Sequence, residues 1–331
     1  MSETHHDDGT QRVFHSEPHT SGIDTGRKRK PPKNLADGMV KALRPKQWVK
    51  NVLVLAAPAA AGADALFHSR VLLDVLLAFI VFCMGASSIY LINDARDVEA
   101  DRAHPTKRFR PIAAGVLPVG LAYAMAALLI VGSIGLSFLA TAGPQLAIVM
   151  AVYIALQLGY CFGWKHMPVI DIALVSSGFM LRTMAGGVAA GIVLSQWFLL
   201  VAAFGSLFMA SGKRYSEILL AEHTGAKIRK SLEGYTPTYL RFVWTLAATA
   251  LVMSYSLWGF QLSNAADGPA SVWYQVSMVP FTIAVLRYAA DVDRGNGGAP
   301  DEIALEDRAL QVLALLWLAC IAMAVYIIPM L

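Results

Sequence analysis

Residues 72–92 read LLDVLLAFIVFCMGASSIYLI, and residues 93–102 continue NDARDVEADR. The first stretch is about 20 residues long, which at 1.5 Å per residue is the length of a bilayer-spanning helix. The second is acid and base in close succession. That junction decides the fold class: an apolar helix crosses a membrane and delivers a polar end to one of its surfaces. Further apolar runs lie near 51–67, 116–139, 143–161, 168–191, 196–211, 239–260, 272–289 and 309–331. The sequence therefore predicts an all-α, polytopic membrane helical bundle with about nine transmembrane helices. The first and sixth runs are short for a perpendicular crossing.

Composition points the same way. Of 331 residues, 56% are hydrophobic and only 15% charged, against about 25% charged in an ordinary soluble domain. So few charges would not cover a soluble surface. A net charge of +4 is too small to suggest a nucleic-acid partner. Cys83, Cys161 and Cys320 lie in or beside apolar runs without CxxC spacing, so they read as small hydrophobes. Residues 1–40 are expected to form a disordered cytoplasmic tail, and 41–331 the transmembrane catalytic domain. No apolar run occurs in the first fifty residues, so no cleavable signal peptide is expected.

Orientation follows from the basic residues. With the N-terminus in the cytoplasm, 25 of the 27 Lys and Arg fall in cytoplasmic segments, leaving Arg70 outside and Arg182 within a span. This positive-inside asymmetry predicts a multi-pass protein of the cytoplasmic membrane, with its chemistry on the cytoplasmic face. Three polar segments are expected there: 41–51, 93–115 and 212–241.

If the second span stays helical past its apolar run, Asp94, Asp97 and Asp101 stand at i, i+3 and i+7 on one face, with Asn93 beside them. Three like charges repel, and a divalent cation relieves the repulsion. A hard, oxygen-lined site suits Mg²⁺ bridging to a diphosphate. Lys107, Arg108 and Arg110 follow at once, as donors to phosphate oxygens. Topology alone explains bases here; it does not explain three aspartates in register before them. Glu99 points elsewhere and reads as a solvated charge.

At these residues the chain resembles the UbiA-like intramembrane prenyltransferase family, which includes the ubiquinone-pathway 4-hydroxybenzoate enzymes. The motif is NDxxDxxxD, here Asn93, Asp94, Asp97 and Asp101, closing a span and followed by RPIAAG at 110–115. The resemblance covers about residues 40–331. It implies a nine-helix bundle with a Mg²⁺–diphosphate site at its cytoplasmic mouth, and Asn93, Asp94, Asp97 and Asp101 as metal ligands. The second acidic motif usual in the family, DxxxD after the sixth span, is absent. In its place stands FMASGKRYSEILLAE, with Lys213, Arg214, Tyr215 and Glu217.

That departure resembles one branch of the family, which transfers phosphoribose to a polyprenyl phosphate in actinobacterial cell-wall synthesis. LRPKQWVKN at 43–51 and YCFGWKHMPVIDIALVSSGFMLRTMAGG at 160–187 match the same branch. The branch implies 5-phosphoribosyl 1-diphosphate as donor and decaprenyl monophosphate as acceptor, and is compatible with a homo-oligomer. Asp94, Asp97, Asp101 and Lys213 are the expected catalytic residues. Lys213 and Arg214 are candidates for the ribose 5-phosphate or the acceptor phosphate. Glu217, four residues on, would orient Lys213 or join a second metal shell.

Lys46, Lys50 and Asn51 are expected at the substrate mouth, with Trp48 as an interfacial anchor. Tyr160 and Lys165 end the fourth span, and Lys165 resembles a basic residue found there elsewhere in the family. Arg182 lies mid-span, so a partner on another helix or a substrate phosphate is required. Gly186, Gly187 and Gly191 are read as permitting close helix packing. Residues 291–308 read as a solvated connector, and further basic residues as contacts for membrane lipids. Two other functions fit the composition. An aromatic-acceptor prenyltransferase needs the missing acidic motif, and a secondary transporter needs more than one deep charge.

Overall fold

The computed structural model describes residues 31–62, 67–224, 232–266, 268–294, 303, 306 and 307–328. Residues 1–30 of the expected tail, and much of the 291–308 connector, lie outside the described residues. The elements are helical throughout. α1 spans Leu35–Ala42, a 3-10 segment Pro45–Leu55, α2 Ala56–Ala60, α3 Ser69–Arg96 and α4 Val98–Ala103. α5 spans Val119–Ser137, α6 Gly143–Cys161, α7 Ile170–Ala189 and α8 Gln196–Thr224. α9 spans Pro237–Ala265, α10 Ala270–Asp293 and α11 Arg308–Ala322, which continues as a π-wound turn over Met323–Ile327. Residues 35–40, assigned by sequence to the tail, belong to α1. Asn34 caps that helix by accepting from the Asp37 N–H at 2.9 Å, so the tail boundary at residue 40 falls inside a helix.

Among the described residues six helices are long and apolar enough to cross a membrane: α3, α5, α6, α7, α9, and α11 with its π turn. The molecule is a multi-pass membrane bundle. α8 and α10, 29 and 24 residues long, fall short of the apolar content of the six. The expected first span is not one continuous α-helix. It is the 3-10 segment of 11 residues followed by the 5 of α2. A 3-10 winding rises about 2.0 Å per residue, so the pair reaches roughly 30 Å in a run too short for an α-helical crossing.

The bundle has two halves that share α7. In one, α3 is central: 67% of its most apolar stretch is buried, against 17% for α5 on the rim. Phe82, Val54, Leu146, Met150, Tyr153 and Ala185 form the core where α3, α6, α7 and the 3-10 segment meet. In the other half, Phe208, Tyr215, Leu240, Trp244, Tyr288 and Val292 pack α8, α9 and α10 together.

Gly186 shows why the first segment runs where it does. A Cβ there would lie 2.0 Å from the Val54 carbonyl oxygen, and one on Gly187 would lie 2.9 Å from Ala57 Cβ. Only a glycine pair lets this backbone lie directly on α7. Gly191 does something else: its φ of +69° makes the turn after α7, and nothing lies near its missing Cβ. The packing expected of it is replaced by a backbone role.

Candidate active site

The acidic motif closes α3 and opens α4. The helix is interrupted at Asp97, whose φ of −89° and ψ of 13° leave the α-helical region. That break changes the expected geometry. Asp94 and Asp101, both 3% exposed, turn toward one point, and Asp97 turns away. Arg110 Nη1 donates to Asp94 Oδ1 at 3.0 Å and to Asp101 Oδ2 at 2.6 Å. Arg44 Nη2 donates to both oxygens of Asp94, at 2.6 and 2.8 Å. Asp97 instead accepts from Lys165 Nζ at 3.1 and 3.2 Å. Asn93 Oδ1 faces the Cys161 thiol of α6 at 3.9 Å. Of the four expected ligands, the fold brings Asp94 and Asp101 together, while Asp97 and Asn93 meet other partners. Among the described residues, no three His, Cys, Asp or Glu side chains gather as a metal site.

The pair still has the chemistry a divalent cation needs. Two carboxylate oxygens, hard donors, lie within 3.0 Å of a single guanidinium nitrogen, a separation one cation could span with water or phosphate completing its shell. The residues therefore fit Mg²⁺, which Asp94 and Asp101 would hold. Arg110 holds the place between them.

The other basic residues after the motif divide. Lys107 and Arg108 lie on a 3-10 turn, Lys107–Phe109, and neither reaches the aspartates. Arg108 folds over the ring of Phe109, 4.9 Å from its centre.

A second cluster forms where α8 meets the start of α7. Arg214 donates from Nε to Asp171 Oδ2 at 3.2 Å and from Nη1 to Glu217 Oε2 at 3.2 Å. Glu217 thus holds Arg214, where the sequence suggested that it would orient Lys213 or join a second metal shell. Tyr160, at the C-terminal end of α6, lies within electrostatic reach of Arg214. Among the described residues, half-buried Lys213 has no ion-pair partner. Asp171 is fully buried and also accepts from the Tyr235 hydroxyl. Burial, and then that bond, push the Tyr235 hydroxyl well above its ordinary pKa, so it remains a donor. Tyr235 accepts in turn from the Val169 N–H, where the backbone turns through φ +70°. The two clusters flank the C-terminal end of α6: Cys161 faces Asn93, and Tyr160 lies within electrostatic reach of Arg214.

Arg182 finds its partners inside the protein. Its Nε donates to Asn51 Oδ1 at 2.7 Å, Nη1 to the Gly178 carbonyl at 2.6 Å and Nη2 to the Tyr153 hydroxyl at 2.8 Å. The ring of Tyr153 lies 4.9 Å from the guanidinium carbon. Asn51, expected at the mouth, is 1% exposed and holds Arg182 and the Cys83 sulfur instead. Lys46 and Lys50 do lie exposed on the 3-10 segment. Trp48 is half-buried and donates to Ser87 Oγ at 3.1 Å, so it anchors to α3.

Sequence reasoning missed Arg44 and Tyr235 and gave Asp171 no role. An acid in the first turn of an apolar span was the available signal for Asp171. Nothing local marked Tyr235.

With this geometry in hand, kinship can be assigned. The model of the UbiA prenyltransferase family matches residues 51–305. The chain belongs to that family. It is 78% identical over 326 residues, covering 98% of both chains, to the decaprenyl-phosphate phosphoribosyltransferase of Corynebacterium glutamicum. It is 63% identical to the protein of the same name from Mycolicibacterium smegmatis, covering 89% of this chain and 95% of that one. In fold, this UbiA family member resembles a UbiA homolog from Archaeoglobus fulgidus, solved bound to GPP and Mg²⁺. The TM-score is 0.62 at 16% identity, covering 87% of this chain and 98% of that one.

Proposed function

We propose that the chain transfers the 5-phosphoribosyl group of 5-phosphoribosyl 1-diphosphate to decaprenyl monophosphate. The products are decaprenyl-phosphoryl-5-phosphoribose and diphosphate. The observation that carries this reading is the 78% identity, over 98% of both chains, to a decaprenyl-phosphate phosphoribosyltransferase. The site agrees in its charges: the family's second acidic motif is replaced by Lys213 and Arg214, which suit a donor and acceptor that both carry phosphate.

In the reaction, the bond from ribose C1 to the diphosphate oxygen breaks, and the diphosphate leaves with the electron pair. A phosphate oxygen of the lipid forms the new bond to C1. That oxygen is anionic near neutral pH, so no strong protein base is needed. The residues act by holding and neutralising. Asp94 and Asp101 hold the cation, with Asp97 fixed by Lys165 at the rim. Mg²⁺, when bound, supplies positive charge to the leaving diphosphate. Lys213 and Arg214 bind the ribose 5-phosphate or the lipid phosphate, Asp171 and Glu217 hold Arg214 in place, and Tyr160 contributes to substrate binding beside Arg214. Arg182 and Asn51 act one layer deeper, fixing the 3-10 segment that carries Lys46 and Lys50 to the mouth.

The proposed topology has nine crossings. α8 and α10 are long enough, at about 43 and 36 Å for helices of 29 and 24 residues. The 3-10 segment with α2 supplies the first. Its start is tied to the aspartate end, where Ser87 Oγ donates to the Leu43 carbonyl at 2.8 Å. Its far end lies beside Gly187 and receives the Tyr326 hydroxyl on the Ala59 carbonyl at 2.7 Å. The basic loops put the aspartate end and the N-terminus in the cytoplasm.

The test is transfer of radiolabel from 5-phosphoribosyl 1-diphosphate to decaprenyl monophosphate by the purified protein, with and without Mg²⁺. A labelled, Mg²⁺-dependent lipid supports the reading. Folded protein given both substrates and yielding no labelled lipid refutes it.

A further inference from the structure

Asp94 is the most heavily engaged carboxylate of the motif. Two guanidinium groups hold it, one from each side of the sequence. Arg44 comes from the junction before the 3-10 segment, and Arg110 from the loop after α4. Each arginine side chain is 27% exposed, while the side chains of Asp94 and Asp101 are 4% exposed. The acids are sealed in and the bases reach in from the surface. Arg44 holds its post at a backbone cost: its φ of 54° and ψ of 58° lie in the left-handed region that residues with a Cβ rarely adopt. Its guanidinium also sits over the ring of Tyr90, 4.8 Å from the centre and one helical turn from Asp94.

Buried carboxylates demand a counter-charge, and these arginines supply it. Two aspartates and two arginines sum to no net formal charge. A divalent cation entering alone would leave two arginines beside it with their partners taken, three like-charged groups in one pocket. A cation entering with a diphosphate meets no such barrier. The arginines can let go of the carboxylates and take the diphosphate oxygens, for which the planar guanidinium is well shaped. We propose that Arg44 and Arg110 are exchangeable counter-ions: they neutralise Asp94 and Asp101 in the empty site and pass to the donor diphosphate on binding, so that metal and diphosphate enter together. Arg44 thereby becomes a substrate-binding residue. The exchange rests on the reading of Asp94 and Asp101 as the cation's holders.

The experiment measures Mn²⁺ binding by electron paramagnetic resonance to the purified full chain, with and without inorganic diphosphate. Wild-type protein should bind Mn²⁺ weakly alone and about tenfold or more tightly with diphosphate. Arg44→Gln and Arg110→Gln, made separately, should each bind Mn²⁺ alone more tightly than wild type and lose most of the diphosphate enhancement. Arg44→Lys keeps the charge, so Mn²⁺ alone should still bind weakly. Melting curves in detergent establish that each variant is folded, and the two glutamine variants stand in for each other if one is not. Equal Mn²⁺ affinity with and without diphosphate in the wild type would overturn the exchange, as would glutamine variants that match wild type in both conditions. Asp94→Asn separates the two failures. If it binds Mn²⁺ and diphosphate as wild type does, the cation site itself is misassigned. If it loses Mn²⁺ while the arginine variants behave as wild type, only the exchange fails.

Discussion

Gly186→Ala adds one methyl group where the backbone of the 3-10 segment lies on α7. The new Cβ would sit 2.0 Å from the Val54 carbonyl oxygen and 3.0 Å from its carbon. Relief requires the 3-10 segment to retreat by about 1 Å, the order at which overpacking costs about 1–3 kcal/mol. The same retreat stretches the 2.7 Å bond from Arg182 Nε to Asn51 Oδ1. A hydrogen bond to a buried charge is worth about 1.5–3 kcal/mol. Together the loss is about 3 kcal/mol, and at about 2–4 °C per kcal/mol for a chain approaching this size the melting point should fall by about 6 °C or more. Gly205→Ala is the control. It is the same change within α8, but its Cβ would meet only Leu251 Cδ1 at 3.6 Å, an ordinary contact. Replacing a helical glycine there should be neutral or stabilising by up to about 1 kcal/mol. Thermal melting in one detergent, with the transfer assay beside it, reads both. A Gly186→Ala protein that melts with wild type and keeps full turnover would refute this account of how the 3-10 segment is seated.

Other perturbations probe the two clusters. Lys213→Ala should leave the melting point within about 1 °C, because no described residue pairs with Lys213, and should raise the KM for donor or acceptor about tenfold or more; initial rates at varied concentrations of each substrate check this. Asp171→Asn leaves Arg214 with a single charged partner in a buried setting. It should destabilise by about 3 kcal/mol or more, seen as a lower melting point, while Asp171→Glu recovers part of the loss. The Arg287 guanidinium, and then the N–H groups of Leu310 and Ala309, hold the Asp307 carboxyl below its ordinary value. A depressed carboxyl stabilises the fold above its unfolded pKa of about 4 and loses that contribution as pH falls through its folded value. Asp307→Asn should therefore melt below wild type at neutral pH, and the difference should shrink below pH about 4. A gap that stays constant down to pH 3 would show that the carboxyl's charge is not involved.

The membrane class was plain from apolar run length, and the motif from its place at the end of one run. Helix periodicity carried the reading as far as Asp94. It failed at Asp97 because a single residue leaving helical geometry rotates everything after it, so three acids in register became a pair and an outlier. Arg182 was recognised as needing a partner, but that partner, Asn51, lies 131 positions away and is neutral. The swap of Glu217 from Lys213 to Arg214 was invisible for a related reason. Helical spacing allows both pairings, and buried Asp171 on another helix decides between them. Arg44 was overlooked because its role depends on a left-handed turn, and a lone arginine before a proline does not announce one.

The 3-10 segment has a consequence for how the protein is made. Its docking surface consists of Ser87 and Cys83 on α3 and Arg182, Gly186 and Gly187 on α7, all of which emerge from the ribosome after it. The groove that receives the 3-10 segment does not exist until α7 has been synthesised. The earlier segment is thus the one that must wait, and final assembly of this half of the bundle is set by α7 rather than by the segment made first.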